Sequence, residues 1–326
     1  MTEPPHRPVV AVVGATGTGK SDLALDLAER LADAGTPAEV VNADALQLYR
    51  GMDIGTAKLS LTQRRGIAHH LLDVLDVTEE ASVAAYQQDS RGAIVRIQAR
   101  GRIPLLVGGS GLYVRAALDR LDIPPTDPAV RAALEGRLAE VGVDRLYALL
   151  HERDPVAAAV IEPRNGRRIV RALEVIELTG RPFSATMPVR EYVAPTVQLG
   201  LRRDRRELDV RLDARVERMW RDGLLDEVRG LLPRGLREGT TASRAIGYQQ
   251  ALAVLDGTMP ERAAVESTQT ATRRLVRRQE SWFGRDPRIA WFDAAAPDLT
   301  GRVERAVRAA VPGLAADAMT DNGRHD

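Results

Sequence analysis

A phosphate-binding loop near the start of the chain constrains the fold more than any other feature of this sequence. Residues 14–21 read Gly-Ala-Thr-Gly-Thr-Gly-Lys-Ser, which matches the pattern G-x-x-x-x-G-K-[ST]. The apolar run 9–13 before it predicts a buried strand, and leucines at 23, 27 and 31 lie on one face of a predicted helix after it. A strand, a glycine-rich turn and a helix in this order favour phosphate binding over a plain turn without a ligand.

The residue types in this loop indicate how it would bind a phosphate group and a metal ion. The glycines let backbone N–H groups curl around an anion, and the following helix directs the positive end of its dipole at the same place. The lysine supplies a point charge for the phosphates, and the serine hydroxyl is placed to ligate Mg²⁺. The predicted anion-binding residues are Gly14, Ala15, Thr16, Gly17, Thr18, Gly19, Lys20 and Ser21. The pattern names neither the ligand nor the bond that breaks.

The composition excludes several other chemistries. The chain of 326 residues has no cysteine, which excludes disulfides, thiolate zinc sites and a cysteine nucleophile. Its 46 basic and 45 acidic residues nearly cancel, so only local clustering can argue for a polyanionic partner. No apolar stretch is long enough to span a membrane, and residues 1–8 lack a signal-peptide pattern. We therefore expect a cytoplasmic enzyme without a membrane partner, acting as a monomer.

Strand and helix patterns alternate in the first third of the chain. The predicted strands are 9–13, 38–42 and 103–107, and the predicted helices are 20–34, 83–99 and 111–119. Strands joined by helical crossovers imply a parallel sheet with helices on both faces, and such sheets bind ligands at the carboxyl ends of their strands. The predicted fold class is therefore α/β, with a P-loop parallel sheet as its core.

A change to continuous helical pattern indicates an insertion in this core. Residues 124–193 have helical spacing between proline-rich ends, and a strand-like run at 197–201 then resumes the α/β pattern. We interpret 124–193 as an inserted helical subdomain between two core parts, 1–123 and 194–312; two independent domains in series are the alternative. Later predictions are helices at 207–232 and 260–284, a strand at 289–292 and a disordered tail at 313–326.

Two residues directly after predicted strands are candidates for chemistry. Asp44 follows the strand 38–42, where a carboxylate can hold Mg²⁺ through water or act as a general base. A bare aspartate there is as often a cap or a solvated loop residue. Ser110 follows two glycines at the end of the strand 103–107, where it can hydrogen-bond a ligand or belong to a plain turn.

Two clusters of arginine suggest a local footprint for a polyanion. Residues 272–283 contain four arginines within six helical positions, and residues 164–171 contain four more. Arginine side chains match phosphate oxygens in a bidentate way, although charge runs are usually solvated helix faces. Two such clusters on a chain of near-neutral total charge favour binding of a nucleic acid.

Taken together, these segments resemble the tRNA dimethylallyltransferase family, from residue 9 to about residue 293. The run Gly51–Lys58 is especially specific, because ordinary P-loop kinases lack it. The matching segments are 14–21, 43–44, 47–58, 69–73, 103–110, 171–175, 244–248 and 278–282. The chain departs from the family pattern at Ala45, where serine is frequent, and at Arg277, where lysine is frequent. It also departs at Gly111, where methionine or a larger residue is common, so we expect the glycine to widen the pocket slightly.

The resemblance implies that the loop holds the diphosphate of dimethylallyl diphosphate and that Mg²⁺ assists near Ser21. The dimethylallyl group would pass to N6 of the adenine immediately 3′ of the anticodon in tRNA. The implied catalytic residues are Asp44, which would orient the amine and accept its proton, Ser110 near the reacting groups, and Arg244 near the leaving diphosphate. The implied contacts to the anticodon stem-loop are Asp44, Gln47, Arg168, Arg171, Arg244, Arg274, Arg278 and Gln279.

Three other functions remain open at this point. A relative that prenylates free adenine nucleotides would share the diphosphate site but would not need an RNA-gripping insertion. A P-loop small-molecule kinase would need ATP and a nucleoside lid. An RNA-binding protein without catalytic activity would not need Lys20 and Ser21.

Overall fold

The computed structural model describes residues 7–186 and 190–310, so the predicted tail at 313–326 lies outside the described residues. Within the described ranges, the strands form one parallel six-stranded sheet in the order β3-β2-β4-β1-β5-β6. Their bounds are β1 (Val9–Gly14), β2 (Ala38–Asn42), β3 (His69–His70), β4 (Ile103–Gly108), β5 (Thr196–Arg202) and β6 (Ala290–Asp293). The predicted α/β fold class is confirmed.

Twelve α-helices accompany these strands in the described part of the chain. They are α1 (Lys20–Asp33), α2 (Val83–Ala99), α3 (Gly111–Leu118), α4 (Pro128–Val141), α5 (Val143–Arg153), α6 (Pro155–Val160), α7 (Gly166–Thr179), α8 (Arg205–Arg221), α9 (Leu224–Leu231), α10 (Tyr248–Leu255), α11 (Glu261–Phe283) and α12 (Leu299–Ala310).

The central strands β1 and β4 are buried along their whole length because helices cover both faces of the sheet. On one face, α1 and α12 pack against alternate residues of β1, β2, β4 and β5. On the other face, α2 and α3 contact β4 while α11 contacts β1. This arrangement brings the carboxyl ends of β1, β2 and β4 to one edge of the sheet, directly before the three predicted site segments.

Four elements differ from the sequence predictions, and the first is the unpredicted helix α10. The edge strand β3 was not predicted, and it is held by pairing with β2 and by His70, whose Nε2 lies 2.6 Å from Glu39 Oε2. The predicted helix 207–232 is two helices, because Gly223 adopts a φ of 107° between α8 and α9. The helix α12 was also not predicted; only Val303, Val307 and Gly301 of it are buried.

The chain divides into two compact units. The first contains the sheet and is built from residues up to Leu118 and from Ala194 onward, and the second is Asp119–Val193. The second unit contains α4 to α7, which bury their own apolar cluster around Leu146, Leu150 and Ile169. The sequence placed the start of this helical segment at 124, whereas the compact unit begins at Asp119.

Among the described residues, the helices are all too short or too polar to cross a membrane.

Candidate active site

The phosphate loop joins β1 to α1 in a tightly bonded turn. Gly19 has a φ of 93°, a conformation that glycine adopts without strain, and it places Lys20 at the first position of α1. The Thr18 hydroxyl and the Lys20 ammonium group both donate to the Ala15 carbonyl, at 2.9 and 2.7 Å. The loop therefore presents its backbone amides and the N-terminus of α1 at the carboxyl edge of the sheet.

The electrostatics of this loop involve two cations and one carboxylate. Burial lowers the pKa of Lys20 to about 8, the negative charge of Asp44 opposes this shift, and the positive charge of Arg215 adds to it. Burial also lowers the pKa of Arg215, again opposed by Asp44. Both cations therefore lie within electrostatic reach of the same carboxylate, next to the phosphate loop.

Arg215 is a site residue that the sequence analysis missed. It projects from α8, and its Nη1 donates to the Thr16 hydroxyl in the phosphate loop at 3.1 Å. No local motif surrounds it, since α8 reads as an amphipathic helix with Leu208, Leu212 and Val216 on its buried face. The packing of Leu208 and Leu212 against Ala15 of the loop brings Arg215 into the site.

Asp44 lies just beyond the end of β2 and is half-buried. Its backbone N–H donates to Asn42 Oδ1 at 3.0 Å, and its Oδ1 accepts from the Leu46 amide at 2.9 Å. Within the described residues, its other carboxylate oxygen accepts no hydrogen bond. The turn therefore fixes the carboxylate while leaving one oxygen available for a ligand.

Ser110 lies beside Asp44 through two contacts with the neighbouring backbone. Its N–H donates to the Ala43 carbonyl at 3.3 Å, and its Oγ accepts from the Ala45 amide at 3.3 Å. The structure thus brings the predicted residues Asp44 and Ser110 together at the ends of β2 and β4. The pocket beside Ser110 is not widened at Gly111, because a Cβ there would lie 2.1 Å from Trp282 Nε1.

The segment after Asp44 is folded by contacts with its own residues and with α9. Gln47 Nε2 donates to the Thr56 carbonyl at 3.1 Å. The side chain of Lys58 is only 2% exposed and pairs with Asp53 and Asp73 at 2.8 and 2.6 Å. One N–H of the Gln47 amide is thus bonded within the segment itself, and among the described residues its second N–H and its carbonyl oxygen are left for a ligand.

Glu227 of α9 anchors the same segment from outside. Its carboxylate accepts hydrogen bonds from the amides of Asp53, Ile54 and Gly55 at 3.0, 2.6 and 3.2 Å, and from the Tyr248 hydroxyl. These hydrogen bonds to Glu227 connect the run Gly51–Lys58 to the segment 244–248, although the two segments are far apart in sequence.

The predicted tRNA-contacting arginines of the first unit point to solvent. Arg244, Arg274 and Arg278 are exposed, and within the described residues none of them has an ion-pair partner. Arg273 differs, because it forms an ion pair with Asp213 of α8. Gln279 also differs, because both ends of its amide bind protein backbone. Three of the arginines thus remain available to a polyanion.

The arginines of the second unit have different environments. Arg168 is exposed at the start of α7. Arg171 instead donates to Glu174 and to the carbonyls of Pro124 and Pro125, at 2.8, 2.8 and 2.9 Å. Glu174 is fully buried, so it needs this cation inside the unit. The Arg171 guanidinium therefore braces the helical unit from within, whereas Arg168 is exposed.

Known proteins match this chain along nearly its whole length. A family model described as IPP transferase matches residues 47–286. A tRNA dimethylallyltransferase from Kineococcus radiotolerans is 60% identical over 305 residues, covering 93% of this chain and 96% of the relative.

Two solved structures are similar to the fold described here. A tRNA isopentenylpyrophosphate transferase from Bacillus halodurans has a TM-score of 0.69 and 36% identity, covering 97% of this chain and all of that one. A eukaryotic dimethylallyltransferase acting on tRNA has a TM-score of 0.74 and 28% identity, covering 88% of this chain and 74% of that one. Sequence and structure agree, and this chain belongs to the IPP transferase family.

Proposed function

We propose that the protein transfers the dimethylallyl group of dimethylallyl diphosphate to N6 of the adenine immediately 3′ of the anticodon in tRNA, with release of diphosphate. The observation that carries the proposal is a cationic phosphate loop, with Lys20 and Arg215, next to the available carboxylate oxygen of Asp44. A donor with a diphosphate leaving group and an acceptor with a transferable proton need these two environments side by side.

The phosphate loop stabilises the leaving group. Cleavage of the allylic C–O bond places additional negative charge on the diphosphate, which prepositioned cations and amides stabilise. Lys20, Arg215 and the amides of residues 14–21 are held in place before substrate binds. Arg244 is exposed and unpaired within the described chain, so it is available to the same anion or to the RNA backbone.

Asp44 acts on the acceptor. The exocyclic amine of adenine is a weak nucleophile, because its lone pair is delocalised into the ring. The free oxygen of Asp44 accepts a hydrogen bond from this amine, orients it toward C1 of the dimethylallyl group and takes its proton as the N–C bond forms. Ser110, adjacent to Asp44, supports the same geometry through its hydroxyl group.

The donor groups at the start of α1 fit a Mg²⁺ ion. Ser21 is half-buried, and its hydroxyl makes no hydrogen bond within the described residues. Magnesium binds proteins through few side-chain oxygens and completes its shell with phosphate oxygens and water, which suits this single hydroxyl. When bound, the ion would neutralise charge on the diphosphate.

Exposed basic residues of both units would bind the tRNA backbone. We assign this role to Arg168 in the helical insertion and to Arg244, Arg274 and Arg278 in the sheet-containing unit, with Gln47 next to the acceptor base. The adenine must leave the anticodon stack to reach Asp44. Phosphate contacts of this kind make affinity depend strongly on salt. We further propose that the enzyme acts as a monomer in the cytoplasm, where its tRNA substrate is found.

Transfer to free adenine nucleotides is the second candidate, because the diphosphate site would serve it equally well. The exposed arginines on two separate units favour tRNA, since a free nucleotide needs only one phosphate-binding site.

The test is transfer of isotopic label from dimethylallyl diphosphate to unmodified tRNA in the presence of Mg²⁺. The matched control is the same tRNA with guanine in place of the adenine 3′ of the anticodon. We expect label in the first tRNA and none in the second. Equal labelling of both would overturn the proposed acceptor, and no labelling of either would overturn the proposed reaction.

A further inference from the structure

Gln279 of α11 joins two backbone segments that lie on different sides of the candidate site. Its Oε1 accepts a hydrogen bond from the Thr16 amide at 2.9 Å, and its Nε2 donates to the Gly109 carbonyl at 2.9 Å. We propose that Gln279 is a positioning residue, which sets the distance between the phosphate loop and the Asp44–Ser110 side of the site. The inference rests on the proposed function, and it replaces the tRNA contact expected for Gln279 from the sequence.

The two backbone groups that the Gln279 amide binds adjoin residues of the proposed reaction site. On the phosphate side, the Thr16 residue that it binds also accepts the hydrogen bond from Arg215. On the acceptor side, Gly109 precedes Ser110, which bonds to the backbone on both sides of Asp44 through Ala43 and Ala45. One side chain therefore connects the diphosphate half of the site to the adenine half.

A primary amide is suited to this position. It offers one acceptor and one donor group at a fixed spacing, whereas a carboxylate has no donor and an ammonium group has no acceptor. The approach of the helix is close, since a Cβ on Gly109 would lie 2.7 Å from Gln279 Nε2. One turn further along α11, the Trp282 indole fills the space over Gly111 in the same way. The helix thus packs against the Gly109–Gly111 turn at two points.

The consequence for catalysis follows from geometry. Attack of the amine on C1 of the dimethylallyl group needs the two atoms held about 3–3.5 Å apart in line with the leaving oxygen, and a displacement of about 1 Å can cost about 100-fold in rate. Loss of the Gln279 bridge frees the phosphate loop from the Gly109 turn while leaving the exposed arginines in place. We therefore expect kcat to fall by about 10- to 100-fold, with the Kd for tRNA and its salt dependence unchanged.

The experiment compares Gln279→Met with Gln269→Met. The first variant keeps the side-chain length and removes both hydrogen bonds. The second is a matched control on the same helix, where the Gln269 amide makes one long hydrogen bond of 3.4 Å to the Asp213 carbonyl, away from both loops. For each variant, kcat and KM are measured for both substrates, and tRNA binding is measured at two salt concentrations. We expect only Gln279→Met to lower kcat.

A second variant covers the case in which Gln279→Met does not fold. Gln279→Glu keeps the acceptor for the Thr16 amide but places a carboxylate oxygen against the Gly109 carbonyl. We expect it also to lower kcat and, through its negative charge near the phosphate loop, to raise KM for dimethylallyl diphosphate.

Two results would overturn the inference. A kcat within about twofold of wild type together with a raised Kd for tRNA would make Gln279 an RNA contact. Unchanged amide hydrogen exchange in the peptides covering 14–19 and 108–111 of Gln279→Met would show that the bridge does not hold the two loops. Hydrogen exchange needs no substrate, so it tests the bridge even if the wild-type enzyme fails to transfer the dimethylallyl group. Such a failure of transfer would overturn the proposed function and not the bridge.

Discussion

Replacing Glu227 with glutamine should detach the run Gly51–Lys58 from α9. The carboxylate receives four hydrogen bonds: Oε2 accepts from the amides of Asp53 and Ile54, and Oε1 accepts from the Gly55 amide and the Tyr248 hydroxyl. Burial and the neighbouring Glu227 charge raise the pKa of Tyr248, so the phenol keeps its proton and donates. A glutamine amide retains only one of the two acceptor oxygens.

The expected cost follows from the donors that lose their acceptor. In the most favourable orientation, the NH2 group of the new glutamine replaces Oε1 and faces Gly55 and Tyr248. The Tyr248 hydroxyl can rotate and accept a hydrogen bond from this NH2 group, but the Gly55 N–H loses its acceptor. An unsatisfied donor costs about 1–3 kcal/mol, and hydrogen bonds to a charged acceptor are worth more than those to a neutral one. We therefore expect Glu227→Gln to lower the free energy of unfolding by about 2 kcal/mol.

Chemical denaturation measures this loss, and amide hydrogen exchange in a peptide covering 52–58 locates it. Asp226→Asn is the matched control: it removes a neighbouring carboxylate of the same helix that is 79% exposed and pairs with Arg229 at the surface. The control should change stability by less than about 0.5 kcal/mol. Equal effects of the two substitutions, or unchanged exchange at 52–58 in Glu227→Gln, would refute the anchoring role of Glu227.

Three further predictions concern charge. The pKa of Lys20 in the ligand-free enzyme is lowered to about 8, so this cation is lost as pH rises through 8 and kcat/KM for dimethylallyl diphosphate should fall above that pH. Lys20→Arg should remove the decline, and a pH-independent wild-type profile from 7 to about 10 would contradict the prediction. Asp44→Asn should lower kcat by about 10²- to 10⁴-fold while KM for dimethylallyl diphosphate stays within about threefold, as measured by steady-state kinetics, whereas retained turnover would make Asp44 structural. Glu174→Gln should destabilise the helical unit by about 3 kcal/mol, because it leaves Arg131 and Arg171 without their buried partner; unchanged proteolytic resistance of residues 127–174 would contradict this.

Local patterns in the sequence were sufficient for most of the sheet and for part of the site. The apolar runs of β1, β2 and β4 predict buried strands, and the residues directly after them, including Lys20, Asp44 and Ser110, meet at the carboxyl edge. This follows from the geometry of parallel sheets, in which neighbouring strands end at the same side. A two-residue strand such as β3 has no pattern of its own and exists only through its pairing with β2.

The parts of the site that the sequence did not predict depend on tertiary packing. Arg215 looks like any charged residue of an amphipathic helix until Leu208 and Leu212 bring α8 against the phosphate loop. Gln279 lies among arginines in a basic helix, which suggests RNA binding, yet the packing of α11 directs its amide to Thr16 and Gly109. Long-range contacts of this kind have no periodic signature in the chain.

The central claim is that this site transfers a dimethylallyl group to an adenine within tRNA. The most direct test offers unmodified tRNA and free AMP to the purified protein in one reaction, with labelled dimethylallyl diphosphate and Mg²⁺. We predict that label enters the tRNA, at the adenine 3′ of the anticodon, and that AMP stays unlabelled. Label in AMP alone would contradict the account, because the exposed arginines of both units would then have no part in choosing the acceptor.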